Sequence, residues 1–347
     1  MTKLSVLIFS KDDTANLANL IDDVYGFADQ LVIMDSSSEK NYKKLLKKKR
    51  AEHLSKIKIH RTIALGYPDP LRMYGLKKCR YEWILYLDTD EMVSPKLKHD
   101  IKRITSKTTA DGFTIRRLED RKLHEKGRFF TWQTRLYKKD NVMYKGTIHE
   151  QAQISGITER LGKQYYLLHF PGERRDYGKM EVFERFSYKT YNRIALEYLA
   201  KIIIPKNGDI HKTIQGRIVA TLMDIYEKIT FRDMDSEISA FDYFVFFTIR
   251  DMAYSLKLGG FANIFRIVPN RMKFAARMGR LRKTREGKMM FALSQIIENE
   301  GIIGYLGLDD EKNVEKIYKK YKGKREGTDL LIDLLVEKYK KDAKGMQ

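Results

Sequence analysis

The chain has 347 residues, 43% of them hydrophobic, which excludes disordered and collagen-like proteins and predicts two folded domains. Its formal net charge of +21 predicts attraction to phosphates, nucleic acid or an anionic membrane face, without choosing among them. Cys79 is the single cysteine, which excludes an intramolecular disulfide and a cysteine-built zinc site and is typical of a reducing, cytosolic setting.

The first 90 residues alternate short apolar runs with amphipathic stretches, the pattern of βα units that feed a mainly parallel sheet. The apolar runs predict strands at residues 4–9, 30–34, 57–60 and 83–87. Helical spacing predicts helices at residues 13–25, 39–53 and 68–79. Ser94 followed by Pro95 predicts the start of another helix, because Ser caps free backbone N–H groups and Pro suits the first helical position. The predicted fold class is therefore α/β, with a Rossmann-like, mainly parallel sheet.

The pattern changes twice in the rest of the chain. Residues 112–170 contain shorter strand-like runs with glycine-containing breaks, which predicts antiparallel strands that finish the sheet. Long helical periodicity follows, at residues 182–200, 213–228, 238–258 and 328–339. We therefore expect a sheet domain at residues 1–172 and a mostly helical region at residues 173–347.

No stretch of the sequence predicts a membrane span. No window reaches the roughly 18 uncharged apolar residues that a spanning helix needs. The apolar stretch at the N-terminus is too short for a signal peptide and is followed at once by charges, so it is interpreted as a strand. The protein is expected to be cytoplasmic, with peripheral binding to the inner face of the cell membrane as one possibility.

The most informative segment is DTDE, which follows directly on the predicted buried strand at residues 83–87. Ligands of open α/β sheets bind at the carboxyl ends of the strands, where Asp88 and Asp90 lie. In an extended backbone these two side chains point the same way, and a divalent cation would relieve their repulsion while bridging to a diphosphate. The alternative is an acidic turn that caps the next helix.

Two further segments carry candidate residues. Asp35 and Ser36 begin the DSSS segment at a strand end, where a carboxylate can accept from ribose or base donors; an ordinary strand-to-helix turn is the alternative. In GTIHE, His149 is a candidate metal or phosphate ligand and Glu150 a candidate general base. A structural histidine and a surface glutamate are the simpler interpretation of that segment.

The segments SVLIFSKDD, QLVIMDSSS, YEWILYLDTDEMVSPKL, TRLYKK and GTIHE form an ordered series that resembles family 2 glycosyltransferases of the GT-A fold. The subgroup that it resembles comprises the lipopolysaccharide core glucosyltransferases and related archaeal and bacterial glycan-assembly enzymes. The resemblance covers approximately residues 1–170, and its specificity comes from the order and strand context of the segments.

This resemblance implies roles for individual residues. Asp35 would help to hold the nucleotide, Asp88 and Asp90 would form the D-x-D metal motif, and GTIHE would belong to the acceptor side. Arg72 lies ahead of the D-x-D strand, where a guanidinium would suit a diphosphate, with a surface ion pair as the alternative. The implied ligands are Mn²⁺ or Mg²⁺ and a nucleoside diphosphate sugar.

The sequence departs from the family pattern after the first two strands. An Asn-Glu pair is common after the first strand, and this chain has Lys11, Asp12 and Asp13 there. The common Gly-Ser-Thr-Asp ending after the second strand is replaced by Ser37, Ser38 and Glu39.

The resemblance implies an inverting displacement, in which a base removes the proton of the acceptor hydroxyl. We expect Glu150 to be that base, with Glu119 and Asp120 as alternatives because they end another predicted strand. The expected acceptor is a glycan, a polyprenyl phosphate or another lipid-linked molecule.

The helical region combines an aromatic-rich stretch at residues 243–254 with a basic run at residues 266–285. That combination is consistent with contact to an anionic membrane surface. The simpler interpretation of the aromatic residues is a helix core.

Two other functions fit parts of the sequence. A nucleotidyltransferase acting on sugar phosphates would also use metal carboxylates, but the segment after the first strand, SKDDTANL, is not a glycine-rich phosphate loop. A basic nucleic-acid-binding protein would explain the charge but leaves DTDE unexplained, and no recognised binding motif accompanies the charge. We therefore expect no nucleic-acid partner.

Overall fold

The computed structural model describes residues 2–48, 55–119, 130–147, 150–170 and 284–345. The chain divides into two compact units, one of residues 1–181 with 300–347 and the other of residues 182–299. The sequence predicted that all residues after 172 form a separate helical region. In the structure, the last 48 residues belong to the same unit as the sheet. The functional residues discussed below all belong to the first unit.

Four parallel strands form the part of the sheet that carries the candidate site. They are β1 (Leu4–Ser10), β2 (Gln30–Asp35), β3 (Ile57–Arg61) and β4 (Trp83–Asp88), in the spatial order β3-β2-β1-β4. Each strand starts where the sequence predicts it and extends one residue further, so that β2 and β4 end on Asp35 and Asp88. The predicted α/β class with a mainly parallel first half is confirmed.

Helices on both faces of this sheet explain why its strands are continuously apolar. They are α1 (Thr14–Val24), α2 (Glu39–Lys48), α3 (Arg72–Lys78) and α4 (Pro95–Ser106). On one face, Val6 and Ile8 of β1 share a core with Leu17 and Leu20 of α1. On the other face α3 approaches so closely that a Cβ at Gly75 would lie 3.1 Å from the Leu7 side chain.

Helix α4 begins at the predicted capping site. The Ser94 hydroxyl accepts a hydrogen bond from the Leu97 N–H at 3.4 Å, and Pro95 occupies the first turn. This cap ends the acidic segment and fixes the direction in which the chain leaves the carboxyl edge of the sheet.

The remaining described strands are β5 (Glu91–Val93), β6 (Gly112–Glu119), β7 (Phe130–Lys138), β8 (Val142–Met143), β9 (Gln153–Ile154), β10 (Thr158–Arg160) and β11 (Tyr166–His169). Strand β7 is antiparallel to both β4 and β6, as predicted for this part of the sheet. Strands β10 and β11 are parallel to β6, which the sequence did not predict. Strand β11 also pairs with β5 and thereby approaches the DTDE segment.

The described C-terminal helices are α5 (Arg285–Leu306), interrupted at Gly301, then α6 (Glu311–Tyr321) and α7 (Gly327–Gly345). Helix α7 includes the predicted helix at residues 328–339. The other three predicted helices, the aromatic stretch and nearly all of the basic run lie outside the described residues. None of the helices that the structure describes is long and apolar enough to cross a membrane.

Candidate active site

The carboxyl ends of the parallel strands bring two of the predicted site residues to one edge. Asp35 is paired in register with Ser10 of β1 on one side and with Arg61 of β3 on the other. Asp88 is paired with Phe9, one residue before Ser10. Asp35 and Asp88 thus lie at the same edge, separated by the width of β1, as expected for ligand-binding residues of an open sheet.

Asp35 is fully buried and held by its neighbours. It accepts a hydrogen bond from the Ser37 hydroxyl at 2.6 Å and forms an ion pair with Arg61. The Arg61 guanidinium lies over the ring of Tyr42, 4.3 Å from its centroid. Ser36 donates its backbone N–H and its hydroxyl to the Ser10 carbonyl, at 2.9 and 3.4 Å. These contacts fix a charged and aromatic cluster at the ends of β2 and β3.

The two departures from the family pattern are partners of each other. Asp12, at a φ of 57°, accepts hydrogen bonds from the Ser38 N–H, the Ser38 hydroxyl and the Asn41 amide at 2.8 to 2.9 Å. Burial alone would raise the pKa of Asp12, but these hydrogen bonds outweigh it and lower the pKa. The loop after β1 is therefore hydrogen-bonded to the start of α2. The bonded side chains include Asp12 and Ser38, which lie in the two segments where the sequence departs from the family pattern.

Asp88 is not an open metal ligand in this structure. Its Oδ1 accepts from the Tyr86 hydroxyl at 2.9 Å, and its Oδ2 forms an ion pair with Arg135 at 2.6 Å. The same Arg135 nitrogen bonds Glu91 at 2.8 Å. Desolvation acts to lower the pKa of Arg135, but the two carboxylates outweigh it and raise the pKa. One buried guanidinium thus pairs with two acidic residues of the DTDE segment, and Arg117 lies 3.7 Å from Glu91 as a second cation.

Asp90 has a different environment. Residues 89 and 90 form a turn, so the extended backbone expected between Asp88 and Asp90 is absent. The Asp90 Oδ1 atom is buried and has no hydrogen-bond partner among the described residues. Its Oδ2 lies 3.5 Å from Nε2 of His169, the last residue of β11. Asp90 therefore has one buried carboxylate oxygen that receives no hydrogen bond from the described residues.

Arg72 is buried rather than part of a surface ion pair. Its guanidinium lies between the rings of Tyr86 and Tyr144, 4.6 and 4.8 Å from their centroids. It donates to the Glu150 carbonyl at 2.8 Å and pairs with Asp69 at 3.2 Å. Its Nε is buried and unpaired within the described part of the chain. Arg72 thus connects α3 to the GTIHE segment beside the D-x-D strand.

The candidate bases occupy distinct positions. Both oxygens of the Glu150 carboxylate accept from the Lys145 N–H, at 2.7 and 2.9 Å, and Oε2 also accepts from the Gly146 N–H at 2.7 Å. Burial raises the pKa of Glu150 against the lowering effect of these bonds. Glu119 ends β6 and is paired in register with His169. Asp120 and His149 lie outside the described residues.

Three residues of the edge were not singled out from the sequence. Arg61 is the last residue of β3, one residue beyond the predicted end of that strand. With the strand predicted one residue longer, the rule that ligands bind at the carboxyl ends of strands would have selected Arg61. Arg135 lies inside TRLYKK, and nothing in that segment of the sequence indicates that its side chain pairs with carboxylates of the DTDE segment. His169 ends a predicted strand, but the pairing of β11 with β5, which brings it to Asp90, is not encoded in any local pattern.

Residues 5–160 match the family model described as Glycosyl transferase family 2. This segment of the chain is a family 2 glycosyltransferase domain. The match contains Asp35, Asp88 and Asp90, and for this segment it confirms the predicted family. The matched residues include strands β2 to β10 and nearly all of β1, whereas β11 lies beyond them.

Curated relatives support the same assignment. An uncharacterised glycosyltransferase of Rickettsia felis is 27% identical over 177 residues, which cover 48% of this chain and 60% of the relative. A second, from Rickettsia prowazekii, is 26% identical over 177 residues, covering 48% of this chain and 58% of the relative. The match therefore spans about three-fifths of the length of these relatives.

Among solved structures, TarS residues 1–349 of S. aureus resemble the chain at a TM-score of 0.42 and 13% identity, covering 93% of each chain. The complex of the same fragment with UDP-GlcNAc gives a TM-score of 0.40 and 15% identity, covering 92% of each chain. These scores are low, and the GT-A assignment rests on the family match together with the observed strand order.

Proposed function

We propose that this protein is a metal-dependent, inverting glycosyltransferase that moves a sugar from a nucleoside diphosphate sugar to a glycan or lipid-linked acceptor. The observation that carries the proposal is the carboxyl edge of the family 2 domain. There Asp35 and Asp88 end strands on either side of β1, and the turn after Asp88 holds Oδ1 of Asp90, which is buried and has no hydrogen-bond partner in the described ranges of the chain.

The chemistry of this edge fits a divalent cation. Mg²⁺ and Mn²⁺ prefer carboxylate oxygens and are commonly bound through one or two carboxylates, with substrate phosphates as further ligands. Asp90 offers one such oxygen. The described residues contain no group of three acidic, histidine or cysteine side chains that could hold an ion by themselves, so substrate phosphates would supply further ligands. Asp90 would hold the ion, with His169 beside it. A bound ion would stabilise the negative charge of the departing nucleoside diphosphate.

Residues of this chain would hold the other parts of the donor. Asp35, fixed by Arg61 and Ser37, has the acceptor chemistry that binds the donor groups of a nucleoside. Ser36 fixes the adjacent turn to β1. Arg72 carries a full positive charge in a buried position next to the D-x-D strand, which favours the diphosphate through the local field.

We infer that Glu119 is the strongest candidate for the general base. Its position at the end of β6 puts it beside His169, whose ring contacts Asp90. The Glu150 carboxylate is instead engaged with backbone N–H groups of its own segment. Asp120 follows Glu119 and stays an alternative. His149 stays a candidate ligand on the acceptor side.

Two substitutions separate these roles. Glu119→Gln is expected to lower kcat by roughly 10² to 10⁴ with an unchanged melting temperature, because it replaces a proton acceptor by an amide of the same size. Glu150→Gln is expected to lower the stability by about 1 to 3 kcal/mol, because buried N–H donors lose a charged acceptor. Rates with saturating donor and thermal melts of both variants measure this. Normal turnover of Glu119→Gln transfers the role to Asp120 or Glu150.

The acceptor and the place of action belong to the same proposal. The net charge of +21 favours an acceptor that carries phosphate, such as a polyprenyl phosphate, or contact with the anionic inner face of the membrane. The cytoplasm, where sugar nucleotides and reduced thiols occur together, fits the single cysteine Cys79.

The proposal is tested by thermal shift of the whole chain with UDP, GDP, CDP and ADP, each with and without Mn²⁺. We expect one nucleotide to raise the melting temperature by several degrees, and only when the ion is present, because binding to the native state alone stabilises it. An oligonucleotide is the control. Stabilisation by the oligonucleotide and by no nucleoside diphosphate would contradict the proposal and favour a nucleic-acid-binding protein.

A further inference from the structure

The two ends of helix α1 are hydrogen-bonded to the acidic segment that follows β4. Asp13 immediately precedes the helix, and its Oδ2 accepts a hydrogen bond from the Thr89 hydroxyl at 2.8 Å. Asp23, in the last turn of the helix, accepts one from the Val93 N–H at 2.9 Å. The segment of residues 89–93 is therefore held by α1 at both of its ends.

The contacts of Asp13 differ from those that its position favours. An aspartate immediately before a helix commonly accepts a hydrogen bond from a backbone N–H of the first turn. The Asp13 side chain does not cap α1 in this way. Its Oδ2 accepts instead from the Thr89 hydroxyl and, at 3.1 Å, from the side-chain amide of Asn16. The carboxylate therefore joins the loop after β1 to the turn after β4.

Thr89 is the central residue of the D-x-D motif, and its side chain lies inside the protein. The residue is 4% exposed, and a buried hydroxyl that loses its acceptor costs free energy, so the bond to Asp13 restrains the turn. The next residue is restrained by a different element, because the Asp90 carbonyl accepts from the Phe170 N–H at 2.8 Å. The backbone that carries the Asp90 side chain is thus fixed by contacts to the start of α1 and to the residue after β11.

We propose that Asp13 is a positioning residue for the metal, which through the Thr89 hydroxyl holds the turn that places the Asp90 carboxylate where the cation binds. The inference rests on the proposed function, because it takes Asp90 to be the residue that holds Mn²⁺ or Mg²⁺. It goes beyond that function by giving a role to Asp13, which lies where the sequence departs from the family pattern after the first strand.

The physical reason is the small number of contacts that the Asp90 carboxylate itself makes. Its Oδ1 has no hydrogen-bond partner within the parts of the chain that are described, and its Oδ2 lies 3.5 Å from Nε2 of His169. The place of these oxygens therefore depends on the backbone of the turn. Mg²⁺ demands nearly ideal ligand geometry, and groups that orient a metal ligand change the affinity for the metal about 10- to 100-fold. We expect the lower end of that range, because Asp13 acts through a neighbouring residue.

Four variants isolate the hydrogen bond. Thr89→Val and Asp13→Ala each remove one of its partners. Asp13→Asn removes the charge but keeps an oxygen that can accept from the hydroxyl. Thr105→Val is the matched control, since the Thr105 hydroxyl is also buried and donates to the Ile101 carbonyl at 3.0 Å within α4. The control thus removes the same atom from another buried threonine.

The test is calorimetric titration of the whole chain with the nucleoside diphosphate that stabilises it most, repeated at stepped Mn²⁺ concentrations. These titrations give the Mn²⁺ concentration at which the strengthening of nucleotide binding is half-maximal. We expect Thr89→Val and Asp13→Ala to raise this concentration about tenfold. Asp13→Asn and Thr105→Val should leave it within a factor of two. For all four variants, saturating Mn²⁺ should restore the nucleotide Kd of the unchanged protein.

A double variant tests whether the two residues act together. Asp13→Ala combined with Thr89→Val should differ less than twofold from either single variant in its half-maximal Mn²⁺ concentration, because both substitutions remove the same hydrogen bond. Multiplied effects of the two substitutions would show that the residues act separately and would contradict the inference.

Three further results would overturn the inference. The first is a half-maximal Mn²⁺ concentration of Thr89→Val within a factor of two of the unchanged protein. The second is an equal rise for Asp13→Ala and Asp13→Asn, because the charge of Asp13 and not its hydrogen bond then acts on the ion. The third is a nucleotide Kd of Thr89→Val that stays raised at saturating Mn²⁺, or an equal effect of Thr105→Val, either of which assigns a merely structural role.

Failure of the proposed function has a different signature. If the unchanged protein binds none of the four nucleotides, or binds one equally well without Mn²⁺, the proposed function fails and this inference fails with it. Mn²⁺-dependent nucleotide binding that is insensitive to Thr89 refutes the role of Asp13 alone.

Discussion

Asp90→Asn is expected to abolish sugar transfer, with a fall in kcat of at least about 10² to 10³, the range seen when one group that stabilises developing charge is removed. The melting temperature without ligands should change little. The substitution keeps the size of the side chain and removes the charge from an oxygen, Oδ1, that makes no hydrogen bond within the described part of the protein.

The metal dependence of nucleotide binding gives this prediction a second readout. If Asp90 holds the ion, Mn²⁺ should no longer strengthen the binding of the nucleoside diphosphate to Asp90→Asn. Asp140→Asn is a suitable control, because Asp140 is an exposed residue in the short helical turn after β7. An Asp90→Asn protein with full activity and an unchanged response to Mn²⁺ would remove the metal from the proposal.

The position of Asp90 illustrates what the sequence could predict. The parallel strands were found from apolar runs, because burial on both faces leaves a local signal in the sequence. Asp35 and Asp88 followed from the rule that ligands bind at carboxyl ends of strands. The domain match at residues 5–160 and the shared edge of β1, β2 and β4 agree with that reasoning.

Contacts between distant segments were beyond the same reasoning. The pairing of β11 with β5 brings His169 to Asp90, although the two residues are 79 positions apart and neither sequence pattern specifies the other. The pairing of the two irregular motifs, Asp12 with Ser38, likewise leaves no local signal, because the two residues are 26 positions apart in the chain. Local patterns encode burial and turns, while such pairs are set by how the strands assemble.

The C-terminal helices show the same limit at the level of domains. Helical periodicity correctly predicted α7, but it treated every residue after the sheet as one region. Gly301, at a φ of 78°, interrupts α5 close to residue 300, where the chain returns to the first unit. The contacts that bring the helices back are single interactions, such as the Ile303 N–H bonded to the Lys145 carbonyl at 3.0 Å, and these leave no periodic signal.

Arg135→Met is expected to cause the largest loss of stability, about 3 to 5 kcal/mol, because breaking a buried ion pair leaves an uncompensated charge in the interior. Glu91 is 1% exposed, and one nitrogen of Arg135 bonds both Glu91 and Asp88. Burial already raises the pKa of Glu91 against the opposing effect of Arg135. Loss of the guanidinium should raise the pKa of Glu91 further. Because the folded variant then holds this proton more tightly than the unfolded chain does, its stability should fall as the pH rises above the ordinary carboxyl pKa.

Urea unfolding of a matched set measures this effect. Lys320→Ala removes one partner of an exposed ion pair with Glu337 and should change the stability by less than about 1 kcal/mol. Adding Glu91→Gln to Arg135→Met should recover part of the loss, because the buried charge is then absent while an acceptor for the Asp88 N–H is kept. The charge explanation fails if Arg135→Met costs no more than Lys320→Ala, or if the second substitution deepens the loss. If the double variant recovers stability, Arg135 is the counter-ion that allows acidic residues to lie close together at the end of β4, beside the proposed donor site.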